Sequence, residues 1–207
     1  MKNPEEPKAD EVLTIGYSNH SADRFLELLR QNAVTAIADV RSQPYSRFNP
    51  AFSRKELKEM LRAEGIAYVF LGRELGARSD DPACYAGGRV LYRKLAEKPL
   101  FREGLARVIK GAQTHRLALM CAEKDPLACH RTILISRELE AAGTSVSHIH
   151  ASGDLEPHPL AVARLLELLG MRDRHLFKSP EDLIADAYAE QEAKIAYVDP
   201  DLRVEAS

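Results

Sequence analysis

Five short apolar runs, separated by stretches of helical periodicity, constrain this chain more than any other feature. The runs are Val12 to Tyr17 (VLTIGY), Val34 to Val40 (VTAIADV), Ile66 to Leu71 (IAYVFL), Arg116 to Cys121 (RLALMC) and Ser145 to Ile149 (SVSHI). Runs of this length, rich in β-branched residues, suit strands buried inside a sheet. Between them the helices announce themselves by their caps. Ser21 precedes a helix with Asp23 in its first turn and Phe25, Leu28 and Leu29 on one face. Ser53 and Glu56 make a capping box ahead of Leu57, Met60 and Leu61. Asp125 and Pro126 open a helix expected to run to about Ala142, where Gly143 stops it. Further helical stretches fall around 89–97 and 100–112, after a long loop over 72–88.

Strands alternating with helices predict an α/β fold, a three-layer arrangement with a mainly parallel sheet of about five strands flanked by helices. Residues 1–11 read as a flexible lead, 12–158 as the α/β core domain, and 159–207 as a C-terminal helical extension with helices near 160–169 and 181–197.

The 29 basic and 31 acidic side chains leave a net charge of -2, so no global field recruits nucleic acid or an anionic membrane. No apolar run approaches the ~20 residues of a membrane-spanning helix, and the polar start MKNPEEPKADE lacks the pattern of a secretory signal. Three cysteines without regular spacing argue against a disulfide framework. The expectation is a cytoplasmic protein with reduced thiols and no membrane partner.

In an open α/β sheet, ligands bind beyond the carboxyl ends of the strands, and here those ends are polar. The first strand delivers Tyr17, Ser18, Asn19 and His20; the second delivers Asp39 and Arg41. The fourth delivers Cys121 and Glu123, and the helix after it opens with Cys129, His130 and Arg131. A helix N-terminus favours a bound anion and a thiolate, and Arg131 can grip phosphate or carboxylate bidentately. Taken singly, Cys121 reads as a small buried hydrophobe and His130 as a hydrogen-bonded core residue. A metal site from Cys121, Cys129, His130 and His20 is conceivable, but the eight-residue separation of the cysteines matches no standard zinc spacing, so neither a metal nor another cofactor is expected. A redox pair is disfavoured equally.

A second cluster lies in residues 41–55, where Arg41, Arg47, Arg54 and Lys55 meet no acidic side chain and alternate with Tyr45, Phe48 and Phe52. Cations with stacking rings suit a nucleotide or single-stranded nucleic acid; alternatively, the rings anchor the loop and the charges are solvated. Arg73, Glu74 and Arg78 in the long loop, Tyr92 on the next helix, and the pair His148 and His150 carry weaker signals. Neither a G-x-G-x-x-G motif nor a P-loop is present.

At these motifs the chain resembles a widespread, mainly bacterial family known as domain of unknown function number 488. The matching elements are TIGYSNHS (14–21), ADVRSQPYSR (38–47), the LG-x-x-LG element (71–76), MCAEKDPLACHR (120–131) and HIHASGDLEPH (148–158). The resemblance implies that Tyr17, Ser18, His20, Asp39, Arg41, Cys121, Glu123, Cys129, His130 and Arg131 belong to the family's recurring pattern. Arg73 stands where relatives commonly carry another glycine. The residues past about 165 lie outside the resemblance.

Two functions follow as expectations. The first is an enzyme, a hydrolase or transferase, acting on a small anionic or phosphate-bearing substrate, including a nucleotide or nucleic acid. Arg41, Arg47 and Arg131, with Tyr17, Ser18 and Asn19, would bind it; Glu123 or His130 would move the proton, with His20 and Asp39 as further catalytic candidates, and Cys121 or Cys129 would be the nucleophile if its pKa is depressed. The alternative is a non-catalytic binding module for a nucleotide, nucleic acid or protein.

Overall fold

The computed structural model describes residues 11–18, 20–171 and 178–202. Its chain alternates strand and helix as the apolar runs predict. Strand β1 (Val12–Gly16) leads into helix α1 (Ala22–Gln31), and β2 (Ala36–Asp39) into α2 (Arg54–Ala63) and β3 (Ala67–Phe70). The Ser21 side chain accepts a hydrogen bond from the Arg24 amide at 3.2 Å, as a cap should. Ser53 sits at the start of α2 but makes no such bond. Its hydroxyl accepts from the Ser46 amide instead, tying down the preceding loop.

The stretch expected as a long loop is more structured. It holds α3 (Gly72–Leu75), a 3₁₀ turn at Pro82–Cys84, and a small hairpin of β4 (Tyr85–Ala86) and β5 (Arg89–Val90). Gly87 and Gly88 both have positive φ, 54° and 76°, as a tight two-residue hairpin turn requires. The helix expected from 89 accordingly begins at α4 (Tyr92–Ala96), followed by α5 (Pro99–Ala112).

Strand β6 (Leu117–Cys121) comes next, and the helix expected to follow it is broken. Asp125 caps only a 3₁₀ turn over Pro126–Ala128. Cys129 then adopts an extended backbone (φ -138°, ψ 142°) that ends this turn. The chain resumes as a π-helical segment, Arg131–Ser136, before α6 (Arg137–Ala141). Within it the Ser136 hydroxyl donates to the Arg131 carbonyl at 2.7 Å, competing with the helical ladder.

Strand β7 (Val146–Ile149) is followed by β8 (Leu155–Pro157), a strand the sequence pattern did not suggest. It pairs antiparallel at the sheet edge, where Pro157 is tolerated because its missing N–H is not needed. Helices α7 (His158–Leu168) and α8 (Pro180–Ile195) complete the chain. Among the described residues no helix is long and apolar enough to cross a membrane.

The six strands run in the order β3-β2-β6-β1-β7-β8, all pairs parallel except the last. One face packs Leu13, Ile15 and Ile37 against Phe25, Leu28, Leu29, Leu57 and Leu61 of α1 and α2. The other packs Val12, Ala38 and Leu119 against α5, α6, α7 and α8 through residues such as Phe101, Leu105, Leu139, Leu165 and Tyr188. The C-terminal helices thus share the main core. Neighbouring strands β1 and β6 send their chains to opposite faces, β1 to α1 and β6 to α6. That divergence is the switch point at which open α/β sheets leave a crevice.

Candidate functional site

At the switch point Gly16 is in register with Cys121. Beyond the strands the pairing continues: the Tyr17 amide donates to the Cys121 carbonyl at 3.1 Å, and the Ser18 amide to the Ala122 carbonyl at 2.8 Å. This draws loop 122–124 over the end of β1, so close that a Cβ on Gly16 would lie 1.8 Å from the Glu123 carbonyl oxygen. Arg131 holds the loop from behind. It is 0% exposed and donates to the carbonyls of Glu123 (2.7 Å) and Lys124 (3.3 Å), while its Nε has no partner.

The resulting crevice has a volume of about 380 Å³, with Tyr17, Arg41, Cys121, Glu123, Cys129 and His130 in its walls. Tyr45, Arg78, Tyr92 and Tyr197 complete it. Through Ser42, Gln43 and Arg78 it continues into a second hollow of about 480 Å³ between α3, the 76–81 segment and Lys98.

Arg41 reaches the crevice already oriented. Its Nε and one terminal nitrogen grip Asp39 at 2.8 and 2.7 Å, and the other donates to the Phe52 carbonyl at 2.8 Å. Tyr68 adds a hydroxyl to Asp39 at 2.9 Å. Burial opposes the Arg41 charge, but the bonds to Asp39 outweigh it and hold the guanidinium protonated. The group lies 5.2 Å above the Tyr17 ring, which itself stacks on Phe52 at 4.4 Å. The remaining guanidinium N–H groups border Tyr17 and the crevice.

Opposite, the break in the helix places His130 between two thiols. Its Nδ1 lies 3.8 Å from Cys121 Sγ and 3.8 Å from Cys129 Sγ, and Nε2 donates to the Val40 carbonyl at 3.1 Å. That last bond orients the ring so that Nδ1 faces both sulfurs. The pair divides its acidity. Hydrogen bonding to Cys129 and burial push the Cys121 thiol up. At Cys129 burial acts upward too, but the bond from Cys121 and the charges of Arg131 and His130 bring it well below the usual range. Glu123 is raised, by partial burial first and by negative charge at Cys129 second. Chemically, the set can supply an anion clamp, a proton-transfer carboxyl, and either a thiolate nucleophile or a soft-metal ligand group.

Not every expected residue converges. Asp39 and Arg131 stand behind the walls, as braces for Arg41 and for loop 122–124. Ser18 and His20 do not line the crevice; burial, then Arg24 and Lys124, lower the His20 pKa, and its carbonyl accepts from Asn49. Asn19 lies outside the described residues. Arg47 sits outside the crevice, its guanidinium 5.9 Å from the exposed Phe48 ring. In the 41–55 loop the three rings divide: Phe52 is core, whereas Tyr45 and Phe48 are 72% and 95% exposed. His148 and His150 do not line the crevice either; His148 bonds Thr14 and His158, and His150 bonds Glu156. Tyr197 was missed altogether, because a lone tyrosine after a C-terminal helix carries no pattern. It reaches the crevice with Arg78 stacked 4.1 Å over its ring.

Residues 21–137, more than half of the chain, match a family model described as "Domain of unknown function DUF488". No curated protein and no solved structure matches the chain.

Proposed function

The chain belongs to the DUF488 family, and from that premise we propose that it is an enzyme acting on a phosphate-bearing substrate, a nucleotide or nucleic acid, bound in the crevice between β1 and β6. One observation carries the reading: Arg41 and Arg78 line the same crevice as Glu123 and His130. Arg41, braced by Asp39, offers its remaining N–H groups to phosphate oxygens, and such charge-assisted bonds are the strong ones. Glu123, whose carboxyl burial holds above the usual carboxylate range, transfers the proton. Tyr45 and Phe48 stack against bases at the rim. A cytoplasmic, reducing compartment keeps Cys121 and Cys129 as thiols.

The test is incubation of the protein, purified without chelators, with a panel of nucleotides and short oligonucleotides, read by mass spectrometry. Product is expected, and Glu123→Gln should fold normally while losing about 10²–10⁴-fold in turnover. Saturable binding without chemical change would instead make this a binding module. No binding even at low salt would sink both.

A further inference from the structure

The ligating atoms of Cys121, Cys129 and His130 all lie within 4.8 Å of one another. An imidazole nitrogen carries either one lone pair or one N–H, so Nδ1 cannot serve two sulfurs fully at once. A cation between the three can serve all of them. Tetrahedral zinc, with Zn–S of about 2.3 Å and Zn–N of about 2.0–2.1 Å, sets sulfur and nitrogen about 3.6 Å apart. Both sulfurs here stand 3.8 Å from Nδ1. We propose that Cys121, Cys129 and His130 form a binding site for a thiophilic divalent cation of the zinc class, with its fourth position open to the crevice.

Three further features agree. His130 Nε2 donates to the Val40 carbonyl at 3.1 Å, the outer contact by which a metal-bound histidine is held in one tautomer and orientation. Two thiolates with one imidazole select soft transition cations over magnesium or calcium. All three residues line the crevice, with Glu123 beside them, so the cation is reached from solvent and keeps a free position. Three protein ligands with one open position is the pattern of a catalytic zinc rather than a closed structural one. The buried Arg131 does not oppose it. Two thiolates, a divalent cation and an anionic fourth ligand sum to one negative charge, which the guanidinium balances; among the described residues no carboxylate pairs with Arg131. The spacing escapes standard zinc patterns because one ligand ends a strand and the other two sit at the break after a 3₁₀ turn.

The inference does not rest on the phosphate reading, and its test is independent of turnover. The full chain is stripped with a chelator and titrated with cobalt(II) alone. One equivalent should give the intense visible bands of tetrahedral cobalt with thiolate charge-transfer absorption, displaced by zinc. Cys121→Ser, Cys129→Ser and His130→Ala should each bind cobalt about tenfold or more weakly, whereas Cys84→Ser should bind normally. A wild-type protein without the tetrahedral spectrum, or a spectrum that survives Cys121→Ser and His130→Ala, overturns the site. Should the variants fail to fold, X-ray absorption on the zinc-loaded wild type decides. Two sulfurs with nitrogen in the zinc shell support the proposal, and a shell without sulfur overturns it. Failure here would leave nucleotide turnover through Arg41 and Glu123 standing, and the reverse holds equally.

Discussion

Asp39 and Arg41, two residues apart at the exit of β2, hold each other through two charge-assisted bonds of 2.8 and 2.7 Å. The carboxylate is fully buried and the guanidinium nearly so. The pair therefore acts as one device: the acid has no access to solvent, and its work is to aim the base. Removing one partner strands the other, which in a buried pair costs about 3–5 kcal/mol. Asp39→Ala should lose stability of that order in urea unfolding, and Asp39→Asn, which keeps hydrogen-bonding atoms, should lose less. A loss under about 1 kcal/mol for Asp39→Ala would contradict the pairing.

Gly16 has no room for a side chain. A Cβ would meet the Glu123 carbonyl oxygen at 1.8 Å and an Arg131 nitrogen at 3.2 Å, both parts of the brace behind the crevice. Gly16→Ala should therefore destabilise by about 1–3 kcal/mol or more and displace loop 122–124. Cobalt or nucleotide binding should fall with it. A variant that melts and binds as the wild type does would mean that the loop stands farther from β1.

A buried relay runs from Thr14 through His148 and His158 to Tyr188, with contacts of 2.8, 3.1 and 2.8 Å, and ties α7 and α8 to the central strand. Burial, first, lowers both imidazoles, His158 to about 4. His158, Arg131, His150 and Arg164 oppose charge on His148, Glu156 favours it on His158, and Arg137 faces Tyr188. An imidazole that stays neutral when folded but titrates near 6.5 when unfolded stabilises fully above 6.5. That contribution is lost as pH falls towards 4, because the unfolded chain then binds more protons. For His158 the loss is of order 3 kcal/mol. Melting temperatures measured from pH 7 to 4 should fall, and His158→Gln should flatten the slope. An equally steep slope in His158→Gln would remove the relay as its source.

Tyr45 and Phe48 are exposed rings, Phe48 beside Arg47, with little packing to lose. Tyr45→Ala and Phe48→Ala should leave the melting temperature unchanged and weaken single-stranded oligonucleotide binding by about 1–3 kcal/mol per stacked base. Arg47→Ala should reduce the salt dependence of that binding. Unchanged fluorescence-anisotropy titrations would remove this rim from the substrate path.

The fold was legible where burial dictates composition. The five apolar runs became the parallel strands, four of them apolar because they are buried throughout, whereas β3 at the sheet edge is exposed at Ala67 and half-buried beyond it. The hairpin at Gly87 and Gly88 and the edge strand at Leu155 were illegible because two or three residues carry no periodicity. The break at Cys129 was hidden too, since Asp125 and Pro126 signal the start of a turn but not its length. Within the site, strand direction brought Tyr17, Arg41, Cys121 and Glu123 to one edge. What sequence left open is which way a long side chain turns. Arg41 keeps N–H groups bordering the crevice, whereas Arg131 spends its bonds on carbonyls and becomes a brace.

Strand β1 lies at the centre of the sheet, paired to β6 on one side and β7 on the other, yet it precedes the segment 21–137 that marks the family. Tyr197, at the opposite end of the chain, closes the crevice from its far side. A fragment trimmed to 21–137 would therefore lose the middle of its sheet and two walls of its pocket together. The smallest piece able to keep the crevice whole runs at least from β1 to Tyr197.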